Sequence, residues 1–151
     1  MRALYSTGAL VGQGSGGALA THEIAALKAV FGEVLVLDGS VRPHQYKGVD
    51  IPFLDDYFLL NRVMRIGPID YAHFYSGTFT ATVKWLKAQG VRVSYTIPAH
   101  DRKTTIEEFQ KLGFQYPFLH ISDDDLWQVF SQGYREADLV IAQSTYSAEF
   151  L

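Results

Sequence analysis

The chain has 151 residues, a length typical of one domain that can bury a core without disulfides. Its composition, 48% hydrophobic and 19% charged, excludes a disordered chain. The net charge is −3 and the 13 Lys and Arg are scattered, so we do not expect nucleic acid as a partner. The absence of cysteine excludes disulfide frameworks, thiol nucleophiles and thiolate metal sites.

The N-terminal apolar stretch is short and interrupted by glycines, unlike the continuous apolar core of a secretory signal peptide. No run approaches the roughly 18 apolar residues that a membrane span needs. We therefore expect a cytoplasmic protein without a transmembrane segment. Peripheral association with a membrane surface stays open.

Hydrophobic periodicity predicts strands and helices that alternate along the chain. The first seven elements are the strand Arg2–Ser6, the helix Ala18–Phe31, the strand Glu33–Asp38, the helix Asp55–Ile66, the strand Asp70–Tyr75, the helix Thr78–Gln89 and the strand Val91–Ile97. They are followed by helices from Thr104 to Leu112 and from Ser122 to about Arg135, the strand Ala137–Ala142 and a helix that begins at Ser144.

This alternation predicts one α/β domain over residues 1–151, with a Rossmann-like, doubly wound, mainly parallel sheet and helices on both faces. The nearly continuous apolar character of Glu33–Asp38 agrees with a parallel strand that is covered on both faces. Ligands of such sheets bind at the carboxyl ends of the strands. The loops that follow the strands are therefore the places to look for a site.

A glycine-rich turn precedes the first predicted helix. Gly12, Gly14 and Gly17 spell G-x-G-x-x-G, and Asp38 closes the second strand. In the dinucleotide fingerprint such glycines let the backbone approach a pyrophosphate, and the acid binds a ribose hydroxyl. That fingerprint requires an apolar strand that runs directly into its first glycine, whereas polar and glycine residues from Ser6 to Gly8 interrupt the approach. We therefore predict phosphate binding of some kind, with Gly16 and Gly17 nearest the helix.

Several stretches, in the same order, resemble the N-terminal half of a retaining glycosyltransferase of GT-B architecture, of the family 4 type. They are the double glycine Gly16-Gly17 at the start of the first helix, SYTIPAHD with His100 after the fourth strand, and ADLVIAQST with Ser144. Proteins of that type place two Rossmann-like domains around a cleft. The resemblance implies an acceptor-side domain whose donor-binding partner domain is absent from this chain.

The resemblance also implies roles for individual residues. Gly16 and Gly17 would donate backbone N–H groups to the diphosphate of a nucleotide-sugar donor, and His100 would face the transferred sugar and the acceptor, which could be a glycan, a lipid-linked group or a small molecule. No metal and no cofactor beyond the donor is implied. Alone, the chain is expected to transfer sugar inefficiently. It also lacks the acid that many members carry soon after the glycines.

Other polar residues have a functional and a structural interpretation. Ser76 and His44 follow predicted strands and are weak candidates for contacts to an acceptor, but they also suit exposed connections. His22 and Glu23 lack a second ligand at helical spacing, so we interpret them as solvated or helix-packing residues. The acids at 123–125, with His120, suit the first turn of a helix better than a cation site. Arg62 and Arg65, with large apolar neighbours, favour a core-packed helix over a membrane-surface helix.

Two rival functions stay open. One is an NAD(P)-dependent oxidoreductase domain in which Gly12, Gly14, Gly17 and Asp38 bind the dinucleotide. The other is a non-catalytic binding module that uses the sheet edge only as an interaction surface. The sequence has neither a G-x-S-x-G elbow nor a P-loop motif, so a serine hydrolase and a P-loop nucleotide hydrolase have little support.

Overall fold

A computed structural model describes residues 1–7, 11–37, 45–46, 49–50, 52–75, 79–97, 110–113 and 133–143. Seven strands and three helices have defined bounds in this part of the chain. The strands are β1 (Arg2–Thr7), β2 (Glu33–Leu37), β3 (Gln45–Tyr46), β4 (Val49–Asp50), β5 (Tyr71–Tyr75), β6 (Arg92–Ile97) and β7 (Leu139–Ala142). The helices are α1 (Gly14–Phe31), α2 (Pro52–Ile66) and α3 (Thr80–Ala88).

Five of these strands form one parallel sheet in the order β2-β1-β5-β6-β7, and β3 pairs with β4 in a separate antiparallel pair. In chain order the five described strands of the main sheet read 2-1-3-4-5, an order that occurs in doubly wound sheets such as that of flavodoxin. The α/β, doubly wound class predicted from the sequence is thereby confirmed.

The two faces of the sheet carry different helices. Tyr5 of β1 and Tyr75 of β5 pack with Ala20 and Ile24 of α1 in one buried cluster. Neighbouring residues of the strands point the other way and pack against α2 and α3. That larger cluster contains Leu4, Leu59, Val63, Ile69, Ala72, Phe74, Val83, Leu86, Val91, Val93 and Tyr95. The molecule is therefore a three-layer α/β/α structure, because strand residues alternate between faces with a period of two.

Helix α1 begins at Gly14, four residues before the predicted start at Ala18. Glycine is a poor helix former, so its density at this point predicted a turn. The backbone nevertheless takes helical geometry there, and the amide N–H of Gly17 donates to Gln13 O over 3.2 Å. At the other end, Gly32 has a φ of +81° and its N–H closes the helix on Lys28 O, as predicted.

The other bounds shift by small amounts. Helix α2 begins three residues earlier than predicted, and α3 is shorter at both ends. The fifth predicted strand begins at Leu139 rather than Ala137. The short strands β3 and β4 fall in a region predicted to be a loop. Residues 110–111 and 133–135 are helical, and the rest of the two predicted helices to which they belong lies outside the described residues.

Candidate functional site

The start of α1 lies at the point of the sheet where a ligand is expected. Strand β2, which follows β1 in the chain, lies on one side of β1. Strand β5 lies on the other side of β1, and β6, which follows β5 in the chain, lies beyond β5. The connections therefore leave β1 and β5 in opposite directions, which opens a crevice at the carboxyl ends of these two strands. Helix α1 follows β1 and begins at this edge.

The first N–H groups of α1 have no acceptor among the described residues. Its N-cap, Gln13, makes no side-chain capping hydrogen bond, and the first turn contains no acidic residue. Since the first N–H with an i−4 partner is that of Gly17, the N–H groups of Gly14, Ser15 and Gly16 project from the helix end. Aligned peptide dipoles give such an end a partial positive charge. The helix start is therefore suited to bind an anion.

Two glycines before the helix hold the chain in a conformation that other residues rarely adopt. Gly12 has a φ of +79° and Gly14 a φ of +64°. A Cβ added at either position meets nothing within 4 Å, so the requirement for glycine is conformational and not a matter of space. The N–H of Gly12 donates to Gly17 O over 3.0 Å, which holds this turn against the first turn of the helix.

Helix α3 begins very differently, although it also follows a strand of the same sheet. The buried carboxylate of Asp56, from α2, accepts hydrogen bonds from the N–H groups of Ala81 at 2.7 Å and Thr82 at 3.0 Å. The Thr82 hydroxyl donates to the same carboxylate at 2.7 Å. A carboxylate of the protein therefore already occupies the start of α3, and an external anion would meet its negative charge.

The predicted site residues fall partly inside this region. Gly16 and Gly17 both lie in the first turn of α1. Gly17 is buried and its N–H donates to Gln13 O, whereas no described residue accepts a hydrogen bond from the N–H of Gly16. The remaining predicted residues, His100, Ser76, His44, Asp38 and Ser144, lie outside the described residues. Within residues that the structure does describe, no three His, Asp or Glu side chains are grouped to hold a metal.

A polar cluster that the sequence interpretation missed lies on the α1 side of the sheet. Tyr5, His73 and Ser94 are register partners on β1, β5 and β6. The side chain of Glu23, from α1, reaches them. It accepts hydrogen bonds from the Tyr5 hydroxyl at 2.6 Å and from the Thr96 hydroxyl at 2.7 Å. Glu23 is therefore a residue that ties the helix to the centre of the sheet, and not a solvated one.

His73 completes the cluster. Its ring stacks on Tyr5 with 5.3 Å between centroids, its Nδ1 lies 2.7 Å from Ser94 Oγ, and its Nε2 lies 3.2 Å from Thr96 Oγ1 and 3.4 Å from Glu23 Oε2. The Tyr71 hydroxyl donates to Ser94 Oγ at 2.6 Å. The sequence signal was the alternation of polar side chains along β5 and β6, but only the register brings them together.

The cluster shifts the protonation of two of its members. Burial favours the neutral carboxyl of Glu23, but hydrogen bonds from His73, Tyr5 and Thr96 outweigh it and lower the pKa below its ordinary value of 4.5. For Tyr5, burial is the largest cause of a raised pKa, followed by its hydrogen bond to Glu23 and the charge of that carboxylate. Glu23 is therefore held ionised and Tyr5 neutral.

Comparison with protein-family models, curated proteins and solved structures finds no match to this chain. The arguments for its function therefore come from its own residues. None of the helices in the described ranges is both long and apolar enough to cross a membrane.

Proposed function

We propose that this chain is the acceptor-side domain of a retaining GT-B glycosyltransferase that uses a nucleotide-sugar donor. The observation that carries the proposal is the uncapped, glycine-rich start of α1 at the crevice between β1 and β5. The order of the sequence stretches that resemble the family 4 enzymes supports it.

In this function the N–H groups of Gly14, Ser15 and Gly16 donate to oxygens of the donor diphosphate. As the bond from sugar to phosphate breaks, negative charge grows on the leaving nucleoside diphosphate, and the acceptor attacks from the same face. Donors fixed in advance at the helix start stabilise that charge without reorganisation. His100, three residues after the end of β6, would orient the sugar and the acceptor.

The experiment is an NMR titration of the backbone amides with inorganic pyrophosphate and with nucleoside diphosphates. We expect the resonances of Gly14, Ser15 and Gly16 to shift at millimolar ligand, because proteins of the resembled type make most donor contacts with their other domain. The start of α3 is an internal control, since Asp56 already occupies it. Shifts of equal size at Ala81 and Thr82, or none at α1, would contradict the proposal.

A matched pair of variants sharpens the test. Ser15→Asp places a negative charge in the first turn, where acids favour the helix but repel an anion. In Ser15→Asn the new side chain has nearly the same size as aspartate but carries no charge. We expect the aspartate variant to lose the pyrophosphate response and the asparagine variant to keep it, with both folded. Equal responses from the two variants would show that the helix start does not bind the anion.

Nicotinamide binding remains a second candidate, because two fingerprint glycines, Gly12 and Gly14, take the positive φ that a tight phosphate-binding turn requires. Against it, the described strands of the main sheet follow the order 2-1-3-4-5, whereas dinucleotide-binding domains commonly have 3-2-1-4-5-6. Thermal shift with NAD(H), NADP(H) and nucleotide sugars separates the two. Stabilisation by a nicotinamide nucleotide at micromolar concentration would replace the glycosyltransferase proposal.

A further inference from the structure

The outward face of α2 is a patch of large exposed side chains. On the inward side of the helix, Leu59 and Val63 are buried against the sheet and α3. On the opposite side, Tyr57, Phe58 and Met64 remain 59%, 43% and 54% exposed. Large apolar side chains collected on one exposed helix face are typical of a surface that binds another molecule.

This face is centred on Asn61 and has two chemically different halves. Tyr57 and Phe58 lie four and three residues before Asn61, and Met64 and Arg65 lie three and four residues after it. At 3.6 residues per turn, all five fall within about 120° of the helix circumference. The N-terminal half of the face is therefore aromatic, and the C-terminal half carries a thioether and a guanidinium group.

The charges around this face do not select a partner of one sign. Arg65 is exposed and forms no ion pair with a described residue. Arg62 lies on the flank of the helix, and helical spacing places Asp55 on the same flank, so a base and an acid accompany each other there. What the face requires is an apolar surface for its aromatic half and an aromatic surface for Arg65 and Met64. The face itself offers both.

We propose that the outward face of α2 binds the same face of a second copy of this chain, with the two helices antiparallel about a two-fold axis at Asn61. In such a pair, Tyr57 and Phe58 of each copy lie against Met64 and Arg65 of the second copy. Sulfur–aromatic and cation–π contacts between these groups are favourable. A parallel pair would instead bring the two Arg65 side chains together.

The first measurement is sedimentation equilibrium. One helix face is smaller than the roughly 800 Å² per partner of a standard interface, so we expect a weak dimer with a dissociation constant of about 100 μM. Between about 10 μM and 1 mM protein, the average mass should rise from 16.9 kDa towards twice that value. Added salt should strengthen the dimer, because it screens the repulsion between two chains of net charge −3.

The two-fold axis allows a sharper test, because a charge at residue 61 meets its own copy. Asn61→Asp and Asn61→Lys should each raise the dissociation constant at least about tenfold, through repulsion between like charges. An equimolar mixture of the two variants should dimerise again, since opposite charges then face each other. This recovery also shows that neither variant has failed to fold.

Helix α1 supplies matched controls on another surface. Ala25→Asp and Ala25→Lys add the same charges at an exposed position, and Val30→Ser removes an apolar side chain that is 67% exposed. These controls should dimerise like the unaltered protein, whereas Met64→Ser should raise the dissociation constant at least about tenfold because it removes apolar contact area.

Three outcomes would overturn the proposal. The first is a mass that stays at 16.9 kDa over the whole concentration range, in which case this face serves a different partner or none. The second is a loss of dimer for only one sign of charge at residue 61, or no recovery in the mixture, since a symmetric interface requires both effects. The third is an equal loss of dimer in the α1 controls and the α2 variants.

Discussion

Glu23 is the acceptor on which the buried polar cluster converges. The Tyr71 hydroxyl donates to Ser94 Oγ. With the ring proton of His73 on Nε2, the Ser94 hydroxyl donates to Nδ1 of the ring. Nε2 then donates towards Thr96 and Glu23. This tautomer is assigned from the hydrogen-bond pattern. The chain of donated hydrogen bonds then leads to the Glu23 carboxylate, and these hydrogen bonds balance the free-energy cost of burying that charge. The cluster is therefore a connection between α1 and three strands that depends on the charge of Glu23.

The first prediction concerns Glu23→Gln. The amide presents N–H groups where the carboxylate accepts hydrogen bonds from Tyr5 and Thr96, so at pH 7 we expect a loss of about 1–3 kcal/mol in the free energy of unfolding. Because the pKa of Glu23 is lower in the folded than in the unfolded chain, its stabilisation is fully present above the ordinary value of 4.5 and is lost as pH falls through the folded value. Urea unfolding between neutral and acid pH measures both effects.

The free energy of unfolding of Glu23→Gln should thus fall less at acid pH than that of the unaltered protein. The control is Glu136→Gln, which removes an exposed carboxylate that lies 3.6 Å from Lys84. Exposed pairs contribute little, so this control should change the free energy of unfolding by less than about 1 kcal/mol. An identical acid response of Glu23→Gln and the unaltered protein would refute the convergence of the cluster on Glu23.

Gly133 is a residue where a side chain would have little room. A Cβ added there would lie 3.0 Å from the Tyr95 hydroxyl and 3.3 Å from the backbone nitrogens of Phe79 and Thr80. The Tyr95 hydroxyl is buried, and its proton has no acceptor among the described residues. Burial raises its pKa, partly offset by the nearby N–H of Phe79. Gly133 therefore allows a close approach between its own segment and the start of α3.

The second prediction is that Gly133→Ala destabilises the fold by about 1–3 kcal/mol, because the Tyr95 hydroxyl and the backbone at the start of α3 must shift to admit the methyl group. Tyr95→Phe removes the oxygen nearest to the new methyl group together with an unsatisfied donor, so alone it should be close to neutral. A double-mutant cycle measured by urea unfolding should show that Tyr95→Phe recovers part of the loss. Additive effects would mean that the methyl group does not press on the hydroxyl.

At the scale of elements, the start of α3 depends on a residue from another helix. Asp56 of α2 supplies the capping carboxylate that the N-cap residue of α3, Phe79, does not provide. Capping and the packing of α2 against α3 are therefore one interaction. The sequence could not indicate this, because a cap is normally sought immediately before its helix.

The third prediction is that Asp56→Ala lowers the free energy of unfolding by about 2–4 kcal/mol. The change removes the carboxylate that accepts the N–H groups of Ala81 and Thr82, and the Thr82 hydroxyl keeps only its 3.2 Å bond to the backbone oxygen of residue 56. Asp56→Asn keeps one acceptor oxygen and should lose less. Thermal or urea unfolding measures both, and helix content by circular dichroism shows whether α3 frays. Equal losses for alanine and asparagine would assign the effect to packing and not to capping.

The element boundaries show where sequence patterns suffice. Strands β5 and β6 and the end of α1 at Gly32 were predicted to within a residue, because alternation and a glycine cap are local signals. The start of α1 at Gly14 was not predicted, because the low helix propensity of Gly14, Gly16 and Gly17 indicates a turn. The fold here follows from tertiary context, in which the turn at Gly12 bonds the first turn of the helix.

At the scale of the molecule, the sequence predicts the class of the sheet but not its internal pairings. Alternating elements predict parallel strands with helices on both faces, and the sheet and its two buried clusters confirm this. The meeting of Glu23 with His73 and Thr96 depends on a register between strands far apart in sequence, and no local pattern in one sequence encodes it. The glycine-rich turn before α1 could be located from the sequence, because its glycines lie close together in the chain.

The fourth prediction concerns how stability is distributed through the sheet. Strands β1, β5 and β6 each pair on both sides, and nearly all of their residues are buried. Among the described strands of this sheet, β2 and β7 are the outer ones and are partly exposed. Asp138 ties the start of β7 to β6 by accepting the N–H of Val93 at 2.8 Å and by contacting Lys87 Nζ at 3.0 Å. We expect amides of the three inner strands to exchange only by global unfolding.

Native-state hydrogen exchange in low urea tests this distribution. Inner-strand amides should share one free energy of exchange and one strong urea dependence, whereas amides of β7 should exchange through a smaller opening. Asp138→Ala should raise exchange in β7 while leaving β5 unchanged, since β5 has no contact with that carboxylate. If β7 and β5 lost protection together in the variant, the sheet would open as a single unit. In that case the outer strand would not be a separate, weaker part of the fold.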